Sequence, residues 1–167
     1  MFELKVLSES AIPPALALAE RYRLLNEPTE AESICLDVLL IDPENQEALV
    51  TLILAHTDHF PDGSPTRPHA AAEQAVSRIR DEYKRLYYSG IIRERRGKAE
   101  LKIDRPGSRR AVQDWLRDAM SCYERAEAIR PAGNDEAILR WNTCARILMD
   151  LPVTEPDVPE YHAVQSE

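Results

Sequence analysis

The chain has 167 residues, of which 44% are hydrophobic and 30% charged, the balance of one globular domain rather than of a disordered segment. Only 5 glycines and 6% aromatics argue against a glycine-punctuated β-sandwich. With 29 acidic against 21 basic residues the net charge is −8, which argues against a dedicated nucleic-acid binder with a basic face. Three cysteines without close spacing suit a reducing compartment, not a disulfide framework. No basic region leading into an apolar run follows Met1, so no secretory leader is expected and the cytoplasm is the expected compartment.

Taken in chain order, the apolar positions Leu16, Leu18, Ala19, Tyr22 and Leu25 recur at three- and four-residue intervals, which predicts a first helix over 13–25. Its two leading prolines, Pro13 and Pro14, sit where a missing N–H is harmless. Thr29 is placed to cap a second helix over 30–41, which Asp42-Pro43 ends. A third is predicted over 46–59, stopping at the turn formers of residues 60–65. Between Pro68 and Pro106 the residues are helix formers, read as one helix to about Tyr83 and another to about Leu101. After a second loop at 104–108, a long helix is predicted over 109–130, and a last one over 135–149. Residues 151–167 carry three prolines among carboxylates and are expected to form a mobile tail. No segment alternates with the period of two that marks a strand, so the expected fold class is all-α.

Two of these helices share a spacing. Ala31-x3-Cys35-x2-Val38-x4-Pro43 matches Ala119-x3-Tyr123-x2-Ala126-x4-Pro131, each setting a small, a bulky and a mid-sized residue on one helical face before a closing proline. With the upstream Leu18-Ala19-x2-Tyr22, this pattern resembles the tetratricopeptide repeat (TPR), a helix–turn–helix unit of about 34 residues. Residues 12–45 fill one unit; Gly90 and Gly97 resemble the glycines of a third unit's first helix, while the second helix of the middle unit, near 70–80, matches poorly. The resemblance implies an α-solenoid of about three TPR-like hairpins over 12–150, a closing C-terminal helix, and a residue 1–11 lead-in. It also implies a noncatalytic scaffold that binds another protein's peptide or helix in a concave groove, and no cofactor is expected. The longest apolar stretches, such as Val38 to Ile41, are too short to span a bilayer, so no membrane is expected.

The stripe turned away from the packing face supplies the candidate partner-binding residues: Leu16, Glu20 and Arg23; Val50, Leu54 and Asp58; Tyr87, Ile91, Glu94 and Arg95; and Ile138, Asn142 and Arg146. Residues 93–110 hold eight basic against three acidic side chains, a patch that either attracts an acidic ligand or neutralises the protein's own acidic faces, the second being favoured.

Motifs of chemistry are sparse. His56 and His59 share a helical face, and with His69 they form the one candidate metal cluster, though a polar helix end is the simpler reading. Cys35, Cys122 and Cys144 fall on or beside packing faces with no activating base in view, and no glycine-rich phosphate loop or nucleophile elbow is present. The alternatives to a binding module are a metal-dependent enzyme or accessory factor using the histidines, and a self-assembling structural protein pairing through its terminal hairpins.

Overall fold

A computed structural model describes residues 2–62, 66–103 and 107–152. Its α-helices are α1 (Ile12–Leu24), α2 (Pro28–Ile41), α3 (Gln46–Asp58), α4 (Thr66–Val76), α5 (Glu82–Leu101), α6 (Ser108–Ala128) and α7 (Glu136–Asp150), with single 3-10 turns at Glu9–Ala11 and Phe60–Asp62. No strand occurs among the described residues, so the all-α class holds. The expected mobile tail falls on residues that lie outside the described ones from 153 onward.

Local chemistry sets most helix ends. Pro13 and Pro14 open α1, and Asn26, with a left-handed φ of 61°, closes the turn after it. α2 begins at Pro28, not after Thr29: the proline takes the first helical position, where no N–H is required, and Thr29 is left in the first turn without a capping role. Asn45 caps α3 by accepting from the Ala48 amide at 2.9 Å.

The predicted boundary at Tyr83 is also corrected. α4 ends at Val76 and α5 starts at Glu82, because Asp81 accepts from the Lys84 amide at 2.8 Å and so caps a new helix. The intervening backbone is satisfied by side chains: the Arg80 amide donates to Gln46 Oε1 at 2.8 Å, and Arg85 donates to the Ile79 carbonyl at 2.8 Å.

Each helix packs against the next in the chain, and α1 also meets α3 while α3 meets α5. Gln46 at the start of α3 touches Arg78 and Arg80 just past α4, and Glu32 early in α2 faces His56 and His59 at the end of α3. Both α2 and α4 therefore run antiparallel to α3 and parallel to each other.

Two main apolar clusters form the core. One joins α1 to α5 through residues such as Cys35, Leu49, Ile53, Phe60, Val76 and Ile92; the other joins α5 to α7 through Ile91, Leu116, Tyr123, Ala137 and Cys144. α5 feeds both, and Tyr88 packs against each.

The shared spacing has a packing origin, since Ala31, Cys35, Val38, Ala119, Tyr123 and Ala126 are all at 0% exposure. The poorly matching middle segment carries the same spacing at Ala72-x3-Val76-x2-Ile79, and all three are buried. Gly90 and Gly97 are contact points of α5 with α6: a Cβ on Gly90 would lie 2.7 Å from Tyr123 Cδ1, and one on Gly97 would lie 3.2 Å from Leu116 and Trp115 atoms.

Candidate functional site

The candidate stripe separates into three groups. Leu16 and Ile91 are buried at 3% and 2% exposure, which removes them from any open face. Leu16 packs against Val38 and Ala48 because α1 has two neighbours, α2 and α3, and Ile91 joins Val112 and Leu116 on the side of α5 facing α6. Val50, Leu54 and Tyr87 are half-buried against the core clusters. Ile138 and Asn142 are half-buried on α7, and Arg146 is exposed.

The polar members of the stripe do converge, but on one another. Arg23 on α1 donates to Asp58 Oδ2 on α3 at 2.9 Å and to Glu20 at 3.1 Å. Arg95 on α5 pairs with Asp58 Oδ1 and donates to the Thr57 hydroxyl at 2.7 Å. Asp58 thus clasps α1, α3 and α5 together, and the charges expected to meet a partner hold the fold.

Glu94 lies deeper still, at 0% exposure. It accepts from the Tyr123 hydroxyl at 2.6 Å and from Arg140 at 3.2 Å, and it pairs with Lys98, so α5, α6 and α7 share one carboxylate. Burial, with the adjacent Glu94 charge, pushes the Tyr123 phenol upward and keeps it protonated as a donor.

Four of the eight basic residues of the run are paired within the molecule. Arg93 pairs with Glu73 at 3.2 Å, Arg96 with Glu100 at 2.7 Å, Arg95 with Asp58 and Lys98 with Glu94. Asp104 and Arg105 of that run lie outside the described residues.

The histidines do not form one cluster. His56 Nδ1 and His59 Nε2 each approach the same Glu32 oxygen at 3.5 Å, whereas His69 sits near Glu73 at 3.9 Å with its ring beside Phe60 and Trp115. Among the described residues no group of three or more His, Cys, Asp or Glu side chains converges to hold a metal ion. Burial lowers His56 against the opposing pull of Glu32, and burial lowers His69 as well. The thiols are equally unsuited to nucleophilic work: burial pushes Cys35 and Cys144 up to about 12 and raises Cys122.

What the stripe arithmetic missed is a groove of about 860 Å³ on another side of the molecule. Its walls are the parallel α2 and α4 and its floor is α3. Leu36, Leu39 and Leu40 line the first wall, Ala71 and Ala75 the second, and Leu52 and His56 the floor. Leu36 is 48% and Leu40 61% exposed, so the wall offers apolar surface that nothing among the described residues covers fully. Glu32 and Asp37 stand on the α2 side, Arg67 and Arg78 on the α4 side. A second, smaller hollow of about 360 Å³ lies between Asn26, Asp58, Arg95 and Lys102, beside the clasp.

No helix among the described residues is long and apolar enough to cross a membrane. No family model matches the chain, and neither a curated protein nor a solved structure matches it.

Proposed function

We propose that this chain is a noncatalytic protein-interaction module of TPR-like helical hairpins, acting in the cytoplasm, and that its partner's peptide or helix lies in the α2–α4 groove. The observation that carries the reading is the pair of solvent-exposed leucines, Leu36 and Leu40, on the wall of a groove floored by Leu52 and His56. A groove walled by two parallel helices takes the apolar face of a third in the manner of helix-in-groove recognition. The hairpin reading is supported by the thrice-repeated spacing of buried residues and by the lateral contacts of α1 with α3 and of α3 with α5. The free, buried cysteines suit the reducing compartment.

The reading departs from the concave-face expectation because the stripe's charges are occupied by the Asp58 clasp. Affinity capture from the native extract tests it, comparing the parent with a Leu36→Asp/Leu40→Asp variant. Both leucines are exposed, so helicity and melting temperature are expected to stay close to the parent's. A partner held by the parent, lost by the variant and rebound as a purified one-to-one complex supports the reading. Identical partners in both samples overturn the groove assignment.

A further inference from the structure

Resting on the groove reading above, we infer that the element this groove receives is an amphipathic helix bearing a cationic residue on one flank and an anionic residue on the other. The lined part of α2 runs from Thr29 to Leu40. At 1.5 Å per residue that is about 16 Å, or three turns of a partner helix. Leu36, Leu40 and Leu52 with Ala71 and Ala75 form the apolar bed for its stripe.

The rims differ in sign. On the α2 side stand Glu32 and Asp37, and on the α4 side Arg67 and Arg78. Not all of these are open to a partner. Glu32 is shared by His56 and His59, and Arg78 is held by Glu44 at 3.5 Å and by the Pro43 carbonyl. Asp37 and Arg67 have no ion-pair partner among the described residues. Because α2 and α4 are parallel, Asp37, late in α2, and Arg67, at the start of α4, occupy diagonal corners of the groove. A helix with flanks of one sign meets attraction at one corner and repulsion at the other; a helix with mixed flanks meets attraction at both.

Four fluorescein-labelled synthetic helical peptides test this by anisotropy. They share one leucine stripe and carry Lys on one flank with Glu on the other, Lys on both, Glu on both, or Gln on both. The mixed peptide is expected to bind about tenfold more tightly than either single-sign peptide at low salt, with the advantage shrinking as salt screens the rims. Asp37→Lys makes both corners cationic and is expected to transfer the preference to the all-Glu peptide.

Equal binding of all four peptides, abolished by Leu36→Asp/Leu40→Asp, overturns the charge inference and leaves the groove reading standing. Absent binding, or binding that survives that double variant, overturns both. Two other occupants are distinguished by the same samples. Dimerisation lost in the double variant assigns the groove to a second copy and overturns the inference. Peptide binding that appears only in Phe2→Ser/Leu4→Ser assigns it to residues 2–7, whose Leu4 reaches the groove while remaining 77% exposed, and overturns the inference as well.

Discussion

Gly90 decides how closely α5 approaches α6. The Tyr123 ring fills the space where a Cβ would stand, and the ring cannot swing aside without withdrawing its hydroxyl from the buried Glu94 carboxylate. Gly90→Ala would gain about 1 kcal/mol of helix propensity. Overpacking this close to a fixed ring falls in the upper part of the usual range, about 2–3 kcal/mol, so a net loss of about 1–2 kcal/mol is expected from urea unfolding. Tyr123→Phe relieves no clash and leaves Glu94 Oε2 short of a donor in a fully buried site, a loss of about 1–3 kcal/mol. If Gly90→Ala were neutral while Tyr123→Phe were costly, the ring would be freer to move than its contacts indicate. Glu94 itself was placed on an outward stripe by helical arithmetic. The residue types around it show why that fails: Lys98, Tyr123 and Arg140 come from three helices, and only their convergence makes a buried carboxylate tenable.

At the scale of the element, helix existence was legible and the boundaries only in part. The α1, α3, α6 and α7 ends fall within two residues of their predicted positions, because proline, asparagine and glycine act on their own backbone neighbourhood. Two helices were expected between Pro68 and Leu101 with a boundary near Tyr83; what was not legible is that the first ends at Val76 and a linker precedes Glu82. No proline or glycine marks residues 77–81, and what stops α4 is a set of distant acceptors and donors, Gln46 foremost. Asp81 then restarts the helix. Asp81→Ala is expected to lower stability by about 1 kcal/mol and to speed amide exchange in the first turn of α5 specifically. Uniform acceleration across α4 and α5 would instead mean that the two behave as one unit. The same break explains the missed repeat spacing, since Ile79 is buried from the linker, beyond the end of α4, and no proline follows to complete the pattern.

At the scale of the whole molecule, two histidines sit against the packed interior: His56 is buried near the end of α3, and the His69 ring lies beside Phe60 and Trp115. His56 faces Glu32 and His59; His69 faces Glu73, Arg93 and Arg96. Burial lowers both below the usual value of 6.5, so the unfolded chain binds protons that the folded chain refuses. Their contribution to stability is therefore present above about pH 6.5 and declines as pH falls through that value toward the folded-state values. Urea midpoints measured at descending pH are expected to fall from neutrality downward, and His56→Gln/His69→Gln is expected to flatten that slope. An unchanged slope in the double variant would assign the acid sensitivity elsewhere.

The sequence by itself determined the helical class, most helix starts and stops, and which residues of α2 and α6 face inward, because propensity, capping and the 3.6-residue period act within one element. Only the tertiary structure decided which outward stripe stayed outward. α1 has two helical neighbours, so its buried arc is wider than one stripe and takes in Leu16. Asp58 gathers Arg23 and Arg95 across three helices, which turns an apparent docking face into a clasp. The α2–α4 groove was hidden for the same reason: its walls are separated in the chain by α3, and a space between two elements is a property of their relative placement, which no local period encodes.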